Sequence, residues 1–125
     1  MSAQQTTRSI IELHWLYGNT RQWDRFSSLL HPDMVYEVPQ TRERLRGSAA
    51  YTAMFRDWPG DWRGEIKRIV AEPVQAVSVI DFIVGAEHMT GITFFDLHEG
   101  LITHVTDVWP SDYEPPERVT PMERY

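Results

Sequence analysis

Near residue 60 the apolar residues change their spacing from three-and-four to two, and they do not change back. Helices gathered first and long strands gathered last argue an α+β architecture, a sheet packed against helices on one face. On the helical side, Ile10, Leu13, Leu16 and Tyr17 make one stripe between Thr7 and Tyr17, widened by Ile11 and Trp15, and Gly18-Asn19 suits a helix end. Trp23, Phe26, Leu29 and Leu30 predict a second helix over Thr20 to Leu30, stopped by His31-Pro32. Tyr51, Met54, Phe55 and Trp58 predict a third, capped by Ser48 and ended by Pro59-Gly60.

Between the second and third helices, Met34 to Val38 reads as a short strand with Val35 and Glu37 on one face and Tyr36 and Val38 on the other. Thr41 to Gly47 reads as a polar, Arg-rich connection. Four segments rich in Val, Ile, Thr and Phe follow: Trp62 to Glu72, Gln75 to Ala86, His88 to Leu97 and Leu101 to Trp109. They predict an antiparallel meander. The expected architecture is α+β, a curved antiparallel sheet packed on three N-terminal helices, closing into a cone with a cavity at its wide end.

The chain of 125 residues has the length of one domain, spanning 1–125. Residues 110–125 form a tail with four prolines and four acids, expected to be extended and to lie on a neighbour. No cysteine is present, which removes disulfides, thiol catalysis and Cys-based zinc sites, and no histidine spacing suits a metal. Neither a metal nor a cofactor is expected, because no Gly-rich phosphate loop or nucleophile elbow occurs. A net charge of −6 without a basic run disfavours nucleic acid. No apolar run approaches the length of a membrane span and no leader pattern opens the chain, so a cytoplasmic location is expected. The strand Val77 to Val84 is apolar on both faces, with Val77, Val79 and Ile83 on one and Ile80, Phe82 and Val84 on the other; a homodimer through the outer sheet face is the expected way to cover both.

Asp107, in HVTDVWP, shares a strand face with Val105, Thr103 and Trp109, where an unpaired carboxylate would be costly. It is the leading candidate for a cavity carboxyl with a raised pKa. Asp81, inside VSVIDFIVG, either pairs with a structural partner or faces the cavity. A tight turn at His98-Glu99-Gly100 would set Phe94 or Phe95 opposite His104 and keep His88 far from it, so a single histidine beside Asp107 is preferred to a shared metal. His14 and Tyr17 on the first helix could reach a ligand carbonyl or belong to the core. Glu37 either pairs with Arg42, Arg44 or Arg46 or joins the substrate site. Trp15, Tyr51, Trp58 and Trp109 supply aromatic wall or packing for a hydrophobic small-molecule ligand.

The stretches YEVPQTRERLRG, FRDWPGDW and GITFFDLHEGLITHVTDVWP together resemble the nuclear transport factor 2-like superfamily, in its SnoaL-like branch, whose polyketide cyclase-like members share the cystatin-like cone. The resemblance implies a binding cup used for cyclisation, isomerisation, dehydration, epoxide hydrolysis or plain ligand binding. It implies Asp107 as the last-strand acid/base; His88 or Tyr17 is then expected to polarise a carbonyl. Asp81 would correspond to the second carboxylate of the epoxide hydrolases, but Val79 stands where those enzymes carry an arginine. The sequence therefore points to cofactor-free acid/base chemistry on a carbonyl-bearing hydrophobe, with a non-catalytic binding or assembly module as the alternative.

Overall fold

The computed structural model describes residues 2–125. Helix α1 (Ala3–Asn19) is capped by Ser2, whose side chain accepts from the Gln5 N–H while Gln5 reaches back to the Ser2 N–H. Its buried stripe is Thr7, Ile11, His14, Trp15 and Gly18, so the helix is turned from the expected stripe and leaves Leu16 exposed. It also runs on through Gly18 and Asn19. Asn19 then exchanges two 2.8 Å hydrogen bonds with the Gly64 backbone, pinning the helix end to the sheet.

Helix α2 (Trp23–Ser28) is shorter than its apolar spacing predicts, because Leu30 already belongs to strand β1 (Leu30–Val38). Helix α3 (Ser48–Arg56) starts from Gly47, whose φ of 96° suits glycine, and Ser48 is its first residue and not its cap. Four long strands follow: β3 (Trp62–Ala71), β4 (Gln75–Val84), β5 (Glu87–His98) and β6 (Leu101–Val108). They form the expected meander.

Two features correct the expected sheet. Glu43–Arg46, inside the expected connection, is strand β2, paired antiparallel with β1 in a hairpin. Strand β1 pairs in parallel with β6, so the curved, unclosed sheet has six strands in the order β2-β1-β6-β5-β4-β3 and is mixed, not wholly antiparallel. Bulges in β3 and β6 bend it. The bulge at Thr103 also shifts the β5–β6 register, which sets Asp96 opposite His104 in place of Phe94 or Phe95.

The helices fill the concave side. His14 sits wholly buried at the centre of an aromatic cluster, with the rings of Trp15, Phe26, Phe55 and Phe95 at 4.6, 4.9, 5.8 and 5.1 Å. Trp15 lies over Gly64, where a Cβ would come within 2.9 Å of its ring, and its indole N–H donates to the buried Ser78 hydroxyl. The narrow end of the cone is therefore packed solid. On β4, Ala76, Ser78, Ile80 and Phe82 face this core, while Val77, Val79 and Asp81 face outward, as the two-sided pattern predicts. Among the described residues no helix is long and apolar enough to cross a membrane.

Candidate functional site

At the wide end a cavity of about 330 Å³ remains, bounded by the β1–β2 hairpin, α3, Phe82 on β4 and the end of β6. Its wall is aromatic and aliphatic, from Val38, Leu45, Met54, Phe55, Trp58, Phe82 and Trp109. Its mouth is polar, with Thr41, Glu43 and Arg44. Glu43 lies opposite Val38 in the hairpin and so shares the inward face with Tyr36. Trp109 is set by neighbours on two sides. Gln40 exchanges hydrogen bonds with its backbone N–H and C=O, and the absence of a side chain at Gly91 leaves room for its ring, which a Cβ there would approach to 2.9 Å.

Asp107 forms the floor. It is 3% exposed, and its carboxyl accepts two hydrogen bonds, from the Tyr36 hydroxyl at 2.6 Å and the Thr93 hydroxyl at 2.7 Å. The sheet explains the convergence: Thr93 is directly opposite Asp107 on β5, and Tyr36 reaches it diagonally from the parallel neighbour β1. Burial pushes the Asp107 carboxyl above its ordinary value, against the opposing pull of the two hydroxyl donors. The same burial, with the nearby carboxylates of Asp107 and Glu43, pushes the Tyr36 phenol up, so it stays a donor. Tyr51 lies beneath, its ring 5.2 Å from that of Tyr36 and its hydroxyl 2.8 Å from His14 Nε2. Burial lowers His14 to about 3, so this imidazole is neutral and does not reach the cavity.

Of the residues expected at the site, the structure brings Asp107, Trp58 and Trp109 to the cavity and sets Tyr51 just below it. It separates the rest. Asp81 and His88 lie on the outer face of the sheet, 2.8 Å apart through Asp81 Oδ2 and His88 Nδ1, which removes His88 as a partner of Asp107. Glu37 also faces outward, between Arg44 and His104. Trp15 is core, and Tyr17 is half-buried against the core, lining no cavity. Sequence reasoning missed Tyr36, Thr93 and Glu43. The alternation in β1 put Tyr36 on the face it shares with Val38, but only the parallel pairing shows that this face meets Asp107. Among the described residues no group of three or more His, Cys, Asp or Glu could hold a metal.

The SnoaL-like domain model matches residues 16–105, most of the chain. The chain belongs to the SnoaL-like domain family. A protein of Kribbella flavida described as a candidate ketosteroid isomerase is 35% identical to this SnoaL-like domain, with 96% of this chain and 94% of that one covered at a TM-score of 0.88. A candidate polyketide cyclase of Xanthomonas campestris (20% identity, 85% and 91% covered, TM-score 0.69) shares the fold. So does an LEH-like epoxide hydrolase of M. tuberculosis (20% identity, 87% and 86% covered, TM-score 0.73). No curated protein matches the sequence significantly. The fold is thus nuclear transport factor 2-like and cystatin-like, shared with proteins of several described activities.

Proposed function

We propose that this SnoaL-like protein binds a small, hydrophobic, carbonyl-bearing molecule in the cone and moves a proton on it without a cofactor, as an isomerase, cyclase or dehydratase. One observation carries the reading: a carboxyl with a raised pKa and a phenol hydrogen-bonded to it converge on the floor of a cavity whose walls are apolar. Asp107 takes the substrate proton. Protonation fills one of its acceptor positions, which frees the Tyr36 hydroxyl to donate to the oxygen on which negative charge develops. Tyr36 therefore takes the polarising role expected of His88 or Tyr17. The volume, near the small end of the roughly 300–1,000 Å³ usual for ligand sites, favours a compact substrate.

The test is isotopic. With a panel of small cyclic and aryl ketones in D₂O, the protein should speed deuterium uptake at the α-carbon, and Asp107→Asn should lower that rate about 10²-fold or more. The amide keeps the shape: one neighbouring hydroxyl still donates to its oxygen and the other can turn to accept from its nitrogen, so the fold should persist. Ketones that bind without exchange would leave the second reading, a binding module. That reading is favoured by one feature, the filling of the deep cone by the aromatic cluster around His14. In either case the protein acts as a homodimer through its outer sheet face, where Val70, Val77 and Phe94 form one cross-strand row and Val79, Ile92 and Val108 the next.

A further inference from the structure

After Trp109 the chain leaves the domain. Residues 110–125 contain no helix or strand, and all but Pro115 are exposed. The side-chain hydrogen bonds within the segment stay within it: Arg118 to the Pro116 carbonyl, Thr120 from the Met122 N–H, and Arg124 to Glu114. Yet the segment is not composed like a solvated linker. Tyr113, Val119, Met122 and Tyr125 all stand exposed, at 83, 106, 63 and 122%. Four side chains of this kind in sixteen residues are apolar surface with nothing of their own domain to cover it.

A second observation comes from the Kribbella structure. The family domain ends at residue 105, but the match to that solved chain spans 96% of the 125 residues here, leaving five unmatched, so it continues well into the tail. The segment thus has a counterpart in a solved relative. Fixing an extended backbone takes about 1–2 kcal/mol per residue, and the domain itself supplies no packing in return. A second chain is the source of packing that this arrangement leaves open.

We infer that the tail packs on a second copy of this chain, along the β3 edge of that copy's outer sheet face, with Tyr113, Val119 and Met122 against apolar side chains around Val70. Val70 is 50% exposed, near the end of β3, the edge strand of the sheet. The tail carries four acids against two arginines, and one cation of the same outer face, Arg68, has no acidic partner among the described residues, although Glu65, Asp81 and Asp96 share that face. The prolines select the mode of contact: four residues without an N–H make a poor added strand, so the tail contributes side chains and not a seventh ladder. The inference rests on the dimer reading for its partner.

The absence of native cysteine allows a direct test in the full chain. Val119→Cys carries a benzophenone maleimide, ¹⁵N-labelled and unlabelled protein are mixed until subunits exchange, and the sample is irradiated. Sedimentation of the same sample reports the dimer independently. Cross-linked peptides of mixed isotopic composition, joining residue 119 to β3, β4 or β5, are expected. The triple variant Tyr113→Ser, Val119→Ser, Met122→Ser should raise the dimer dissociation constant about tenfold or more. A dimer whose cross-links are all within one chain, or whose affinity the triple variant leaves unchanged, overturns the tail contact and leaves the dimer standing; a monomer removes both.

Discussion

Asp107 and His14 are both buried, and burial moves their titrations in opposite directions because one is charged when it loses a proton and the other when it gains one. The Asp107 carboxyl binds its proton more tightly folded than unfolded. Its contribution to stability is therefore complete below the ordinary carboxylate value of 3.8 and is lost as pH rises through the raised folded value. For His14, lowered from 6.5 to about 3, stability is present above 6.5 and is lost as pH falls through that window, since only the unfolded chain takes up the proton. His14→Gln should lower stability overall but flatten its acid dependence, by up to about 1.4 kcal/mol per pH unit for one proton. Denaturant melts of both proteins at steps between pH 6.5 and 3 measure the slope; equal slopes would assign the acid sensitivity elsewhere. Tyr36→Phe removes a donor that holds the Asp107 titration down, so the carboxyl should titrate still higher. Carbon-13 NMR of labelled aspartate reads this directly, and an unmoved resonance would deny the hydrogen bond.

At the scale of elements, the site depends on how β5 and β6 lie against each other. Gly91→Ala would place a methyl 2.9 Å from the Trp109 ring and 3.1 Å from Ile80, so the indole must swing out of the cavity wall. Overpacking of this kind destabilises by about 1–3 kcal/mol, and it should also weaken ligand binding while Asp107 keeps both of its hydroxyl partners. A crystal structure of the variant with Trp109 unmoved would contradict this. The same elements show what a sequence can carry. The long strands were legible because alternation and turn residues are local, and their expected ends fall within about two residues of those observed. Strand β2 was not: Glu43–Arg46 has one apolar residue, so it is a strand only because β1 offers it a ladder. Asp81 was ambiguous for another reason. In a strand apolar on both faces, periodicity sorts residues into two sets without saying which set the helices cover. Asp107 was legible through its neighbours Val105 and Trp109, whereas its partner Tyr36 required a parallel pairing that no local pattern encodes.

For the whole molecule, the proposed assembly rests on the outer face. Phe94 and Val77 stand side by side near the middle of that face, away from the cavity. Light scattering should report twice the 14.6 kDa chain mass at micromolar concentration, and Phe94→Asp should return it to one chain with an unchanged fold. A wild-type monomer would instead make the exposed rows a surface for some other ligand.

The parallel register of β1 with β6 also orders events in time. The hydrogen bond from Tyr36 to Asp107 joins residues 71 apart, and the hairpin of β5 and β6 comes last in the chain. During synthesis, the helices and β1 emerge with their apolar faces uncovered and wait for a strand not yet made. The cavity floor of Tyr36 and Asp107 cannot exist in any partial product. Its closure coincides with completion of the sheet, so ligand added during refolding should capture only molecules whose β1 and β6 have paired.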